Sequence, residues 1–294
     1  MYFFVQLFIS GFVVGSVYAL IGVAIVVIFK TTEVFNFAQG ALMLVGAYVC
    51  WSLAEQLGIP MVMSIFLTMA FSMILGLTAS KIVIQPLIGQ PILSVIMMTL
   101  VLSVFLENLV NLFWGGPAKA YPELFSQEPV LLGKFVLSVQ HLIILAFVCI
   151  ILVAMGVLFK YSKWGLQMRT VAEDHQSARA CGLNVKAVFV LCWAISAVLA
   201  AVSGILQASL SGVGASLINF GLKGFAAVLL GGLESITGAV IGGLIIGICE
   251  TLSGGYLGTF GGGGVKEVVP YFLLMLILIV KPYGLFGLRR IERI

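Results

Sequence analysis

Charge is what this sequence has least of. Of 294 residues only 9% are Asp, Glu, Lys or Arg, while 62% are hydrophobic and the mean hydropathy is +1.21. A soluble domain carries roughly a quarter charged residues, so this composition cannot supply a water-facing surface and leaves no room for a soluble domain. The weak ten-residue alternation of an outer-membrane barrel is missing too, because the apolar runs are long and continuous. Histidine is scarce: His141 and His175 stand in no metal-ligand spacing such as H-x-x-x-H. No serine sits in G-x-S-x-G. No Gly-Lys-Ser/Thr exists either; Gly261-Gly262-Gly263-Gly264-Val265-Lys266-Glu267 is the nearest approach to a phosphate-binding loop and reads as a flexible external connection. The cysteines (Cys50, Cys149, Cys181, Cys192, Cys249) show no C-x-x-C spacing, and four lie in apolar segments as small buried hydrophobes. No basic run with interleaved aromatics points to nucleic acid. The first apolar run starts at Tyr2 with no basic region before it, so it is expected to be a retained helix, not a cleaved signal. Enzymatic chemistry, metal binding and ATP binding are therefore not expected of this chain.

What remains is hydrophobic length. A membrane span needs about 20 apolar residues, which places segments near 5–29, 34–53, 61–84, 92–113, 135–159, 187–208, 222–250 and 266–281. The expected fold is an all-α polytopic membrane protein of about eight hydrophobic segments, some broken or re-entrant, forming a single transmembrane domain over 1–294. Pro60, Pro91 and Pro282 lie at segment ends, where no helical N–H is lost. Lys and Arg favour the cytoplasmic side. The loop 160–186 carries Lys160, Lys163, Arg169, Arg179 and Lys186 against Glu173 and Asp174; the tail carries Lys281, Arg289, Arg290 and Arg293 against Glu292. Both are read as cytoplasmic. The loop 114–134 balances Lys119 and Lys134 against Glu123 and Glu128 and is read as external. One parity problem follows: a cytoplasmic loop and a cytoplasmic tail require an even number of crossings, and three segments separate them. Breaks at Gly231-Gly232 and Gly242-Gly243 would close the count if part of 222–250 is re-entrant, as backbone lining a covered cavity can be; a Gly-rich helix packed tightly on its neighbours is the alternative.

Acidic residues inside spans mark function or pairing. Glu107, Asn108 and Asn111 share part of one helix side near the outer end of the fourth segment, where they form a candidate outer vestibule or hydrogen-bond to a neighbouring helix. Glu250, at the end of 222–250, reads as a structural residue. Neither belongs to an ionisable pair at mid-membrane, the feature a gradient-driven transporter would favour. Asn36-Phe37-Ala38-Gln39-Gly40 is echoed by Asn219-Phe220-Gly221-Leu222-Lys223-Gly224, each leading into a small-residue-rich apolar segment. With opposite directions of the preceding helices, the echo would be an inverted repeat.

The polar loop has its own order. Leu166 to Ala180 reads as one short helix, with Arg169 and Glu173, and His175 and Arg179, four apart on its surface. Gly182 suits the left-handed position that ends a helix, and Asn184 suits the cap of the next. His175 reads as exposed. On spacing alone the segment is either a lever for a soluble partner or a solvated loop on anionic lipid.

Three stretches carry a resemblance: Asn36-Phe37-Ala38-Gln39-Gly40 running on to Gly46-Ala47-Tyr48; Arg169-x-x-Ala172-Glu173-Asp174 through Ala180 to Gly182-Leu183-Asn184; and Gly231-Gly232-x-x-Ser235-x-x-Gly238-Ala239 followed by Gly242-Gly243. With these the chain resembles, nearly end to end, the permease subunits of ABC importers of the branched-chain amino acid type, the LivH-like family. The resemblance implies a multi-pass protein of the bacterial inner membrane, a second permease of the same family, two cytoplasmic ATPase subunits holding ATP and Mg, and an extracytoplasmic substrate-binding protein. It implies no cofactor in this chain. It makes 166–182 the ATPase-coupling segment, centred on Leu166, Arg169, Ala172, Glu173, Asp174, Ala180 and Gly182. It places Asn36, Phe37, Gln39, Gly40, Asn219, Phe220 and Gly224 along the translocation path. The sequence departs from the family at Gln39, where His is frequent, at Glu107, where Gln is frequent, and at Glu234-Ser235-Ile236-Thr237, where Gly-Ser-Ile-Pro is frequent. The expected cargo is therefore a small solute such as a branched-chain amino acid, amide, urea or small aromatic acid. A self-sufficient secondary transporter or channel is the competing reading.

Overall fold

The computed structural model describes residues 2–122, 129–132, 135–258 and 264–287. Glu123, Glu128, Lys134, Gly261–Gly263 and the tail charges from Arg289 onward lie outside the described residues. The chain is helical: α1 (Tyr2–Thr32), α2 (Gln39–Trp51), α3 (Met61–Ala79), α4 (Ile92–Trp114), α5 (Val139–Tyr161), α6 (Lys163–Glu173), α7 (His175–Ala180), α8 (Val185–Ser211), α9 (Ser216–Gly231), α10 (Ile236–Leu257) and α11 (Val265–Val280). A short antiparallel hairpin, β1 (Pro129–Leu132) and β2 (Phe135–Ser138), precedes α5, so the fifth apolar segment begins as a strand and not as helix. Among the described residues six helices are long and apolar enough to cross a membrane. The protein is a polytopic, essentially all-α membrane protein.

Two of those six, α1 and α8, are strongly apolar and buried over most of their length. In contrast α3, α4 and α5 turn most of their apolar residues outward. Cys149 is on such an outward side, while Cys50 and Cys192 are buried, so the expectation of uniformly buried cysteines holds only in part.

The chain forms two compact units, and α1, α5 and α9 each begin in one and end in the other. The first comprises residues 1–26, 125–148 and 222–294. Its backbones meet at glycines: a Cβ on Gly11 would lie 2.8 Å from the Ile248 Cα, and one on Gly15 2.8 Å from the Leu244 Cα. The 222–250 stretch is broken once and continuous once. Gly232, at φ +108°, ends α9, and Ser235 caps α10 by accepting from the Gly238 amide at 2.9 Å. Gly242-Gly243 does not break anything; it lies inside α10 and packs against Ala227 and Ala19. The amides of Leu285 and Phe286 donate to the Leu230 and Gly231 carbonyls, satisfying groups the end of α9 leaves open.

The second unit comprises residues 27–124 and 149–221. Here α8 packs on α2 and α3. A Cβ on Gly46 would lie 2.5 Å from Ala201, and one on Gly76 2.6 Å from the Trp193 carbonyl oxygen. Trp193 is fully buried with Ile28, Ala79, Ile84 and Val95.

Candidate functional site: the polar segment, the paired asparagine stretches and a buried lysine

The expected single helix over 166–180 is two helices. Asp174 is extended, at φ −158° and ψ 119°, and it ends α6 and caps α7 at once. Its carboxylate accepts from the Gln176 amide at 2.8 Å and the Ser177 hydroxyl at 2.7 Å. The Ser177 hydroxyl and then the Gln176 amide hold the carboxyl below its ordinary value. Side-chain capping competes with helix continuation, and at Asp174 the cap wins.

Two other signals of the loop, Gly182 and Asn184, behave as read. Gly182 adopts φ +81°, with its amide on the Arg179 carbonyl and the Leu183 amide on that of Ala178, the double closure of a Schellman turn. Asn184 caps α8 through the Ala187 amide at 3.1 Å. Ser162 caps α6 through the Gly165 amide.

α6 is two-faced. Gly165, Met168 and Val171, three apart, are buried, and Gly165 sits on the Leu158 and Phe159 backbone. Leu166, Arg169 and Glu173 face outward, as do Asp174, Ala180 and Gly182, with Ala172 half-buried. The expected surface pairs do not form: among the described residues the ion pairs are those of Lys223, and Arg169 donates to the Lys160 carbonyl. Nor is His175 an exposed residue. Its ring is half-buried, donates through Nε2 to the Thr31 carbonyl at 3.0 Å and meets Phe189 edge-on. Thr31 is also contacted by Cys192 of α8, Sγ to Oγ1 at 3.3 Å. The polar segment is thereby pinned to α1 and α8 beside a cavity of about 220 Å³ lined by Glu33, Ile84, Ile88, His175, Arg179 and Phe189.

The two asparagine stretches meet. A Cβ on Gly40 would lie 2.6 Å from the Ile218 carbonyl oxygen, and Gly221 rests on Gly40 itself. Asn36 and Gln39 are fully buried. Asn36 donates to Gln39 Oε1 at 3.2 Å and accepts from the Ala38 amide, and Gln39 also accepts from the Ser196 hydroxyl at 3.1 Å. The Phe37 amide donates to Thr99. Asn219 is exposed and Phe220 half-buried. Both lie within α9, which starts earlier than the sequence suggested, and Gly224 packs on Ile21.

The Branched-chain amino acid transport system / permease component family matches residues 7–280. The chain belongs to this family. It is 32% identical to the high-affinity branched-chain amino acid transport system permease protein LivH of Salmonella typhimurium, over all of this chain and 98% of that one. It is 30% identical to BraD, the corresponding permease protein of Pseudomonas aeruginosa, over all of this chain and 99% of that one. The solved structure of PsaBC from Streptococcus pneumoniae in complex with Fab shares the fold, with a TM-score of 0.52 at 16% identity, covering 97% of this chain and 94% of that one. The chain is thus a membrane permease subunit of the ABC-transporter type.

Asn108 is exposed and folds back on the Val104 carbonyl of its own helix, Asn111 is exposed, and Glu107 is half-buried. The feature that sequence reasoning missed is Lys223. It is 1% exposed, and its ammonium lies 2.6 Å from Glu250 and 2.8 Å from Glu267, while Tyr18 donates to Glu250 at 2.7 Å. A buried ionisable pair inside the apolar segments therefore exists, against the expectation of none. The signal was available: a lysine amid an apolar helix is expensive in lipid and implies a partner.

The Asp174 cap is testable on its own. Asp174→Ala should speed hydrogen exchange of the 176–180 amides, and Asp174→Asn should largely restore protection, measured by mass spectrometry. Because the carboxyl is held low, the cap's contribution is present above the ordinary Asp value and lost as pH falls through the lowered one. Acidification below the ordinary carboxylate range should mimic the alanine variant.

Proposed function

We propose that this permease is one half of the membrane-spanning part of an ABC importer of the inner membrane, with 1–294 working as one transmembrane domain. The carrying observation is the pinned polar segment. Leu166, Arg169, Glu173, Asp174, Ala180 and Gly182 form its outward side with Ala172 half-buried at the edge, while Met168, Val171, Ala178 and the His175–Thr31 bond fix it to α1 and α8. A push on a segment held this way is passed to the helices instead of being absorbed by a loop. The sequence has no phosphate-binding motif, so the push comes from partners: two cytoplasmic ATPase subunits that hold ATP and Mg. No step of hydrolysis belongs to this chain.

Four helices, α8 to α11, separate the loop 160–186 from the tail. Two of them, α8 and α10, are among the helices long and apolar enough to cross a membrane, and that even number supports a loop and a tail on the same, cytoplasmic, side. Asn36, Phe37, Gln39 and Gly40 border the translocation path with Asn219, Phe220 and Gly224. The tight Gly40–Gly221 approach lets the two stretches move against each other without side chains intervening. Glu107, Asn108 and Asn111 belong to the outer end, where an extracytoplasmic binding protein delivers the solute. A second permease of the same family completes the path. The cargo is a small solute; a branched-chain amino acid is favoured by the names of the relatives, and the departures at Gln39, Glu107 and Glu234 extend the range to amides, urea or small aromatic acids.

Purification from native membranes should bring ATPase subunits with the chain. Glu173→Ala and Gly182→Val should lower solute uptake per ATP hydrolysed at least several-fold while membrane insertion is unchanged. Unchanged uptake in both variants would remove the coupling role. The buried Lys223–Glu250 pair is the one feature that favours a gradient-driven transporter. ATP-independent uptake by the purified chain alone in liposomes would establish that reading and overturn ours.

A further inference from the structure

Four helices of the first unit meet around one ammonium group. Lys223 comes from the middle of α9, Glu250 from α10, Glu267 from the first turn of α11 and Tyr18 from α1. The arms differ in what they would lose by separating. Glu250 is 8% exposed and both its oxygens are engaged, Oε1 by Lys223 and Oε2 by the Tyr18 hydroxyl. Pulling it from Lys223 would strand two charges in an apolar interior, which is strongly unfavourable. Glu267 is different: its side chain is 52% exposed, and it sits where a helix N-terminus favours negative charge. On leaving Lys223 it returns to water and to the α11 dipole, while Lys223 keeps Glu250.

We propose that the Lys223–Glu267 pair is a latch, closed in this conformation, that releases the start of α11 from α9 during the transport cycle. The Tyr18–Glu250–Lys223 chain is the fixed part that stays assembled. A permease that alternates between two states needs contacts that exist in only one of them, and this is the charged contact whose opening strands nothing. Glu267 is then a positioning residue: it does not touch the solute but sets how readily α11 moves. The inference rests on the chain's working as an ATP-driven permease, and its test is separable from the test of that reading.

The experiment is hydrogen exchange by mass spectrometry on the complete, reconstituted transporter, reading the peptide that contains Val269, Tyr271 and Phe272. In the wild-type complex, this peptide should exchange about tenfold or more faster in one of the two trapped states (nucleotide-free or vanadate-trapped) than in the other, as expected for loss of a charge-assisted bond. Glu267→Gln should show the faster exchange in both states, with lower uptake per ATP hydrolysed and a near-normal unfolding temperature. Glu267→Asp should restore the difference. Equal exchange in the two wild-type states would overturn the latch, as would normal coupling in Glu267→Gln. A uniform loss of protection across α9, α10 and α11 in Glu267→Gln would also overturn it, showing a purely structural tie. Loss of ATP dependence in the wild type would instead sink the permease reading and is read from uptake, not from exchange.

Discussion

Lys223→Met should destabilise the folded protein by about 3–5 kcal/mol, the usual cost of removing one partner of a buried ion pair. The substitution keeps an unbranched apolar stem and shortens it by one atom, so packing is little changed. It leaves Glu250, itself nearly buried, with the Tyr18 hydroxyl but without the ammonium 2.6 Å from its Oε1. The measurement is thermal unfolding in detergent, together with the yield of monodisperse protein. Lys223→Met/Glu250→Met should recover most of the loss, because replacing both members of a buried pair by apolar residues is often neutral or stabilising. Glu250→Met alone should fall between the two, since Lys223 retains Glu267 at 2.8 Å. If the double variant is less stable than Lys223→Met, the pair is not the source of the effect. The recovered double variant also bears on the latch. It would be folded and yet have nothing for Glu267 to grip, so its uptake should remain poorly coupled to ATP hydrolysis.

The sequence announced some of these features and concealed others, for physical reasons. Hydrophobic length alone gives a polytopic helical protein, because about 20 apolar residues have few other uses. Gly182 and Asn184 were legible because a left-handed helix end and a side-chain cap are satisfied by atoms a few residues away. The break at Asp174 is equally local, yet the i, i+4 spacings on either side of it favour one continuous helix. The Asp174-x-x-Ser177 spacing carries the cap, and Arg169 and Glu173, four apart, form no ion pair. His175 was illegible because its acceptor, the Thr31 carbonyl, is 144 residues away. The Lys223 site was illegible as a site for the same reason, since Glu250 is 27 residues on. The lysine itself stands in plain view in the echoed motif, but nothing near it in sequence names its partners. Gly242-Gly243 resembles a break because two adjacent glycines weaken a helix. The fourfold spacing of Gly238 and Gly242, and of Gly243 and Gly247, instead marks small-residue faces that let backbones touch.

That contact geometry sets the second large effect. Gly204→Leu should destabilise the second unit by about 3 kcal/mol or more, the upper range for forcing volume into a packed core. Gly204 on α8 presses on the backbone of α2, where an added Cβ would meet the Met43 carbonyl and lie 2.9 Å from its carbon. The obstacle is backbone, so no rotamer change relieves it. The two helices must part, and Gly46 on α2, which meets Ala201 of α8 in the same way, would lose its contact with them. Gly204→Ala should therefore already cost about 1–3 kcal/mol. The control is Gly156→Ala on α5, where an added Cβ meets nothing within 4 Å. There alanine's greater helix propensity should make the change neutral or stabilising by up to about 1 kcal/mol. Unfolding temperatures of the three variants in one detergent decide the matter. If Gly204→Ala and Gly156→Ala behave alike, the close approach of α2 and α8 is not what holds this unit together. If they differ as expected, movement within the unit is restricted to sliding along glycine-lined backbone, because α2 and α8 cannot separate cheaply. A push delivered through α6 and α7 would then reach the Asn36–Gly40 stretch, which leads directly into α2, as a displacement of the whole helix.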